Sequence, residues 1–243
     1  MGKAISSNDN HPKTIGPNTE IGDKSDDVWD GNLDDFLPSP PKPPSFFAKS
    51  PSFLNLVSAA IIVGIWFVAS VYQWTSPYWS GTVSQRSLIH EGQYWRLLTA
   101  LFVHKDLAHL LSNTPLFLIF GFYLQGFFGF WVFPFGAIIL GVLTNLFTVM
   151  SYAPDVSLLG ASGMLYAMVA MWLVFYMKLE THLSFGLKFL RSVGVSLVLL
   201  FPTSFQPQTS YTAHAYGFVL GVFFAWIISP IFRRSENALD HLV

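Results

Sequence analysis

Polar and apolar positions divide this chain into a polar, proline-rich opening and six apolar runs separated by short polar breaks. The runs lie near 53–73, 106–125, 129–151, 157–177, 187–202 and 211–229. Their lengths match helices crossing about 30 Å of hydrocarbon. The third holds Pro134 and three glycines, and the fifth is the shortest, with Lys188 and Arg191 at its start expected to snorkel. Between the first two runs, Trp74 to Lys105 is amphipathic and aromatic ("QWTSPYWSG", "YWRLLTALF"), as suits a loop lying in the membrane interface. The pattern predicts an all-α polytopic membrane protein of six transmembrane helices over residues 52–230. Residues 1–51, rich in Asp, Asn, Ser, Lys and Pro, carry too little apolar surface to fold and read as a disordered cytoplasmic tail; 231–243 read as a short cytoplasmic C-terminal tail. Met1-Gly2-Lys3-Ala4-Ile5-Ser6 fits the N-myristoylation pattern, which is short and often met by chance.

Composition agrees with the pattern. Of the 243 residues, 52% are hydrophobic and 11% charged, against about 25% charged in soluble domains, and the mean hydropathy is +0.46. A net charge of −1 gives no electrostatic reason to expect nucleic acid. The absence of cysteine excludes disulfides, thiolate catalysis and cysteine-ligated metal. Lys42, Lys49, Lys178, Lys188, Arg191, Arg233 and Arg234 collect on one side of the spans, and Arg86, Arg96 and Lys105 on the other. That imbalance puts both termini in the cytoplasm, and the even number of spans fits it.

Parity then sorts the unusual residues. Helices two, four and six all start from the extracytoplasmic face and carry nearly all the polar groups within the spans. Helix two opens with His109 and Asn113, helix four has Ser162 about five residues in, and helix six has His214 about a turn from its start. Four polar groups therefore share one depth, and ionisable groups inside a membrane mark function by default.

A serine hydroxyl needs a base to take its proton, and the imidazole of His214 is the best-placed candidate. Gly217 and Gly221 form a G-x-x-x-G face, while Gly163 and Ala167 offer small residues at the same spacing on helix four. Such faces let helices approach closely, bringing Ser162 to His214. His109 and Asn113, one turn apart, can donate hydrogen bonds to an oxyanion together with the Ser162 backbone N–H. Tyr166, four residues after Ser162, is placed to pack on the His214 ring. No carboxylate lies in a span core, so a Ser-His dyad is expected rather than a triad. Taken singly, each feature has a plainer reading: small-residue packing for the glycines, an interfacial hydrogen bond for the histidine, core filling for the tyrosine.

These residues together resemble the rhomboid family of intramembrane serine proteases. The family's G-x-S-G stands as Gly160-Ala161-Ser162-Gly163, followed by Tyr166. Its H-x-x-x-x-H-x-x-x-N stands as His104, His109 and Asn113. Its A-H-x-x-G-x-x-x-G stands as Ala213, His214, Gly217 and Gly221, and its Trp-Arg loop signature as Trp95-Arg96. The resemblance covers about residues 52–229 and implies a six-helix rhomboid-like bundle. It implies that Ser162 is the nucleophile, His214 the general base supported by Tyr166, and His109, Asn113 and the Ser162 amide the oxyanion site. Trp95, Arg96 and His104 would fix the interfacial loop. The implied partners are the lipid bilayer and transmembrane protein substrates cut near the extracytoplasmic face; no cofactor, metal or nucleic acid enters. A bacterial or archaeal cell membrane is the expected location. One departure stands out: where the family often has glutamate four residues after Gly121, this chain has Gln125, expected to keep a structural hydrogen bond.

Two other classes compete. A non-catalytic rhomboid-like protein would bind client transmembrane helices, with Ser162 and His214 misaligned. A small-solute transporter is disfavoured by the lack of inverted duplication and of a charged midplane residue; a broken helix would favour it, and Pro134 alone hints at one.

Overall fold

The computed structural model describes residues 45–48, 50–76, 79–204 and 209–240, so the expected N-terminal tail, apart from its last few residues, lies outside the described residues. Among the described residues the secondary structure is helical, with α1 (Leu54–Thr75), α2 (Gln85–Ile89), α3 (Arg96–Thr99), α4 (Leu107–Phe128), α5 (Ala137–Ser151), α6 (Ser162–Leu179), α7 (Phe185–Ser204) and α8 (Tyr211–Asp240). Among the described residues α1, α4, α6, α8 and the stretch Trp131–Ser151 ending in α5 are long and apolar enough to cross a membrane. With α7 they are the six helices that the apolar runs mark out, and the chain is an integral multi-pass membrane protein.

The bundle is built around α6. Met164, Leu165, Ala167 to Met171 and Phe175 are all buried, so α6 is covered on every side; a helix apolar all round is a core helix. Its flanks meet α4, α5, α7 and α8. α1 packs on α4, burying one stripe, Ala59, Ile62, Trp66 and Ser70, at helical spacing. In that interface the Ser58 hydroxyl donates to Gln125 Oε1, which is the structural hydrogen bond expected of Gln125.

Several boundaries differ from the sequence expectation. α6 begins at Ser162 itself, because the residues before it are taken up elsewhere. Leu158 pairs with Val83 in an antiparallel bridge, and the Gly160 N–H donates to Ala100 O at 2.8 Å. The third span is broken: Phe133 is extended (φ −140, ψ 130) within a π-helical turn over Trp131–Gly136. At the break the Phe133 ring is buried against Phe117 and the surface of Gly121.

Lys188 Nζ donates to Met177 O at 3.2 Å and Glu180 O at 2.8 Å, satisfying carbonyls at the end of α6. At the N-terminal edge Phe46 and Phe47, inside the expected tail, pack on Phe127 and Phe128 of α4, and Phe47 also meets Trp172 of α6. The Ser45 hydroxyl donates to Glu180 Oε2 at 2.6 Å at the same edge. α8 continues past residue 230 to Asp240, because the sequence beyond Pro230 holds no glycine or second proline to stop it.

Candidate active site

Three helix N-termini converge at one end of the bundle. α6 starts at Ser162, α8 reaches His214 in its first turn, and α4 reaches His109 in its first turn. Asp106 caps α4, its Oδ1 accepting from the His109 N–H at 2.8 Å. Each N-terminus presents N–H groups without intrahelical partners and the positive end of a helix dipole.

The tightest contact in the bundle joins α6 to α8. A Cβ built on Gly217 would lie 2.0 Å from Gly163 O, and one on Gly221 2.3 Å from Ala167 O. Backbone therefore lies on backbone along the two small-residue faces, and Gly163 itself approaches Ala213 O and Thr144. This contact sets Ser162, the half-buried first residue of α6, beside the first turn of α8. There the His214 ring stacks on Tyr166, with centroids 3.9 Å apart and planes 12° from parallel. The residue is 6% exposed, and its Nε2 is buried with no hydrogen-bond partner among the described residues.

The α4 side of the site is equally close. Gly160 has φ +100, and a Cβ there would lie 2.6 Å from His109 Cε1, so the chain just before Ser162 rests on the His109 ring. Asn113, one turn further along α4, is 1% exposed, its Nδ2 buried and without a partner among the described residues.

Behind His109 sits His104, fully buried, with ring centroids 5.1 Å apart. α1 pins it: the His104 N–H donates to Ser70 Oγ at 3.0 Å, and Trp74 Nε1 donates to His104 O at 2.7 Å. Burial pushes the His104 imidazole down to about 3, and neighbouring His109 adds to the effect. Arg96 folds its own loop, Nη1 donating to Ser80 O at 2.6 Å and Thr82 O at 3.0 Å. Trp95 points outward and is exposed, as is Tyr94. Arg86 and Asp155 form an exposed ion pair between this loop and the segment leading to α6.

The structure thus brings Ser162, His214, Tyr166, His109, Asn113, Gly160, Gly163 and Gly217 to one end, with His104 supporting from α1's side. Gly221 lies a turn deeper in the α6–α8 seam. Trp95 and Arg96 belong to the segment between α1 and α4 rather than to the cluster. Sequence reasoning missed several polar groups. Thr144, Asn145 and Thr148 of α5 are buried, and Asn145 Nδ2 donates to Leu97 O at 2.9 Å, tying α5 to the loop. Ser210 and Tyr152 meet at the start of α8; the only sequence signal was a serine just before an apolar run.

Known proteins resemble this chain in sequence over part of their length. A family model, Rhomboid domain, matches residues 91–231. RHOMBOID-like protein 5 of Arabidopsis thaliana is 27% identical over 146 residues, 59% of this chain and 47% of that protein. RHOMBOID-like protein 2 of the same plant is 28% identical over 156 residues, 61% of this chain and 46% of that protein. Rhomboid protease GlpG of Haemophilus influenzae is 27% identical over 150 residues, 60% of this chain and 75% of that protein. The chain spans about half the length of these plant relatives. With plant and bacterial relatives side by side, the expected bacterial or archaeal membrane draws no support from them.

Proposed function

The chain belongs to the rhomboid family, and on that premise we propose that it is an intramembrane serine endopeptidase with Ser162 as nucleophile and His214 as general base. The observation that carries the reading is the condition of His214. Among the described residues its Nε2 is buried without a partner, its ring is stacked on Tyr166, and its helix lies backbone-to-backbone on the helix that begins at Ser162. Leaving a buried nitrogen unpaired is costly, and the cost is accounted for if the nitrogen is held for a hydroxyl proton.

In the proposed reaction Ser162 Oγ attacks the scissile carbonyl carbon while His214 takes the hydroxyl proton. Negative charge develops on the carbonyl oxygen, where Asn113 Nδ2, His109 and the Ser162 N–H at the positive end of α6 stabilise it. His214 then gives its proton to the departing amine as the C–N bond breaks, leaving an ester on Ser162. Water, deprotonated by the same imidazole, adds to the ester carbonyl; the bond to Ser162 Oγ then breaks, His214 returns the proton to that oxygen, and the new carboxyl end is released. The substrates are transmembrane segments of other membrane proteins, cut near the extracytoplasmic face with both termini of this chain in the cytoplasm. The Lys and Arg distribution supports that orientation.

A fluorescent fluorophosphonate probe tests the assignment without a known substrate. In detergent or liposomes the wild type labels, Ser162→Ala does not, and His214→Ala labels at least about 10³-fold more slowly. Absence of labelling in a folded wild type would replace this reading with a client-binding protein, and a fully active His214→Ala would remove the proposed base.

A further inference from the structure

His214 sits in the first turn of α8, the part of a helix that frays most readily. A general base placed there depends on how that turn is closed. Ser210, the residue before Tyr211, closes it twice: its Oγ accepts from the Ala213 N–H at 3.1 Å, and its carbonyl accepts from the His214 N–H at 3.1 Å. This is the N-cap arrangement, and it fixes the backbone of the residue that carries the imidazole. The cap is itself held. The hydroxyl of Tyr152, immediately after the last residue of α5, lies 2.6 Å from Ser210 Oγ. With the Ser210 hydroxyl accepting from Ala213, its own proton or that of Tyr152 completes the bond.

The ring has its own support, the Tyr166 face at 3.9 Å and the Tyr211 ring edge-on at 6.4 Å. These fix the imidazole plane but not the height of the helix turn beneath it. We propose that Tyr152 and Ser210 are positioning residues for His214, a hydroxyl pair that locks the end of α5 to the first turn of α8 and so holds the base in register with Ser162. The proposal rests on the catalytic reading above. It adds α5 to the elements that set the dyad's geometry, and neither residue touches the reacting atoms.

The test measures the second-order rate of fluorophosphonate labelling for Ser210→Ala, Tyr152→Phe, the double variant and Ser210→Thr, well below each melting temperature. The expected result is a fall of roughly five- to tenfold in each single variant. The double variant falls no further than Ser210→Ala, because the bond that Tyr152→Phe removes is already lost with the Ser210 hydroxyl, and Ser210→Thr returns to within about twofold of wild type by keeping the cap. A merely structural role would lower the melting temperature and leave the labelling rate of the folded protein unchanged, which would overturn the proposal. Additive losses in the double variant would also overturn it. Tyr152→Phe conserves the ring volume, so it reports even if Ser210→Ala fails to fold. The wild type and Ser162→Ala run alongside: labelling of Ser162→Ala at the wild-type rate sinks the catalytic reading itself, whereas silence there with wild-type rates in the hydroxyl variants sinks only the positioning role.

Discussion

Gly160 shows how one residue serves two requirements. Its φ of +100 is a conformation that side chains rarely adopt, and its missing Cβ leaves room for the His109 ring. Gly160→Ala should therefore both strain the turn and push His109 from its place. We expect a fall of about 10²-fold in labelling or cleavage, with a lowered melting temperature; a fully active variant would show that His109 has no fixed position to lose. The sequence displayed this glycine as part of a motif, but not why it had to be glycine. Ser162 is similar. Its identity was legible, yet its place as the first residue of α6, with helix N–H groups at hand, follows from Leu158 and Gly160 being drawn into contacts with Val83 and Ala100.

At the scale of elements, the α6–α8 seam decides whether the site exists. Gly217 and Gly221 leave no space for any side chain, since the nearest atoms to a built Cβ are backbone carbonyls that cannot yield. Gly217→Val should force the helices apart. The expected cost is about 1–3 kcal/mol of stability, with labelling of Ser162 lost even below the melting temperature; retained labelling would mean that close approach is not needed. This seam was readable from the spacing of small residues alone. The break before α5 was less so, because a proline announces a kink but not that Phe133 will fill the space opposite Gly121.

For the molecule as a whole, stability should depend on pH through His104. Its imidazole, fully buried behind His109, is held down to about 3 in the folded protein against 6.5 when exposed. Between those values the unfolded chain binds the proton and the folded one does not, so stability rises with pH across that window. The contribution is complete above about 6.5 and is lost progressively as pH falls toward 3. Melting temperatures of wild type and His104→Asn, measured from pH 7.5 to 4.5, should converge as the pH drops. A constant gap between them would contradict a neutral, buried His104. The exposed Arg86–Asp155 pair, by contrast, sits where solvent screens it and should contribute little.

What the sequence determined by itself is what local patterns encode. Apolar runs of membrane-spanning length gave the helices, and small residues four apart gave the seam between α6 and α8. Parity gave the common level of Ser162, His214, His109 and Asn113, because helices entering from one face place their first turns together. The tertiary structure alone decided what depends on distant segments meeting. The α1 residues Ser70 and Trp74 hold His104, Asn145 on α5 reaches the interfacial loop, Phe46 and Phe47 cover the other end, and Tyr152 closes on Ser210. Such partners are single polar or aromatic residues with no periodicity of their own. Only the packing of one helix against another selects which of many similar side chains they meet.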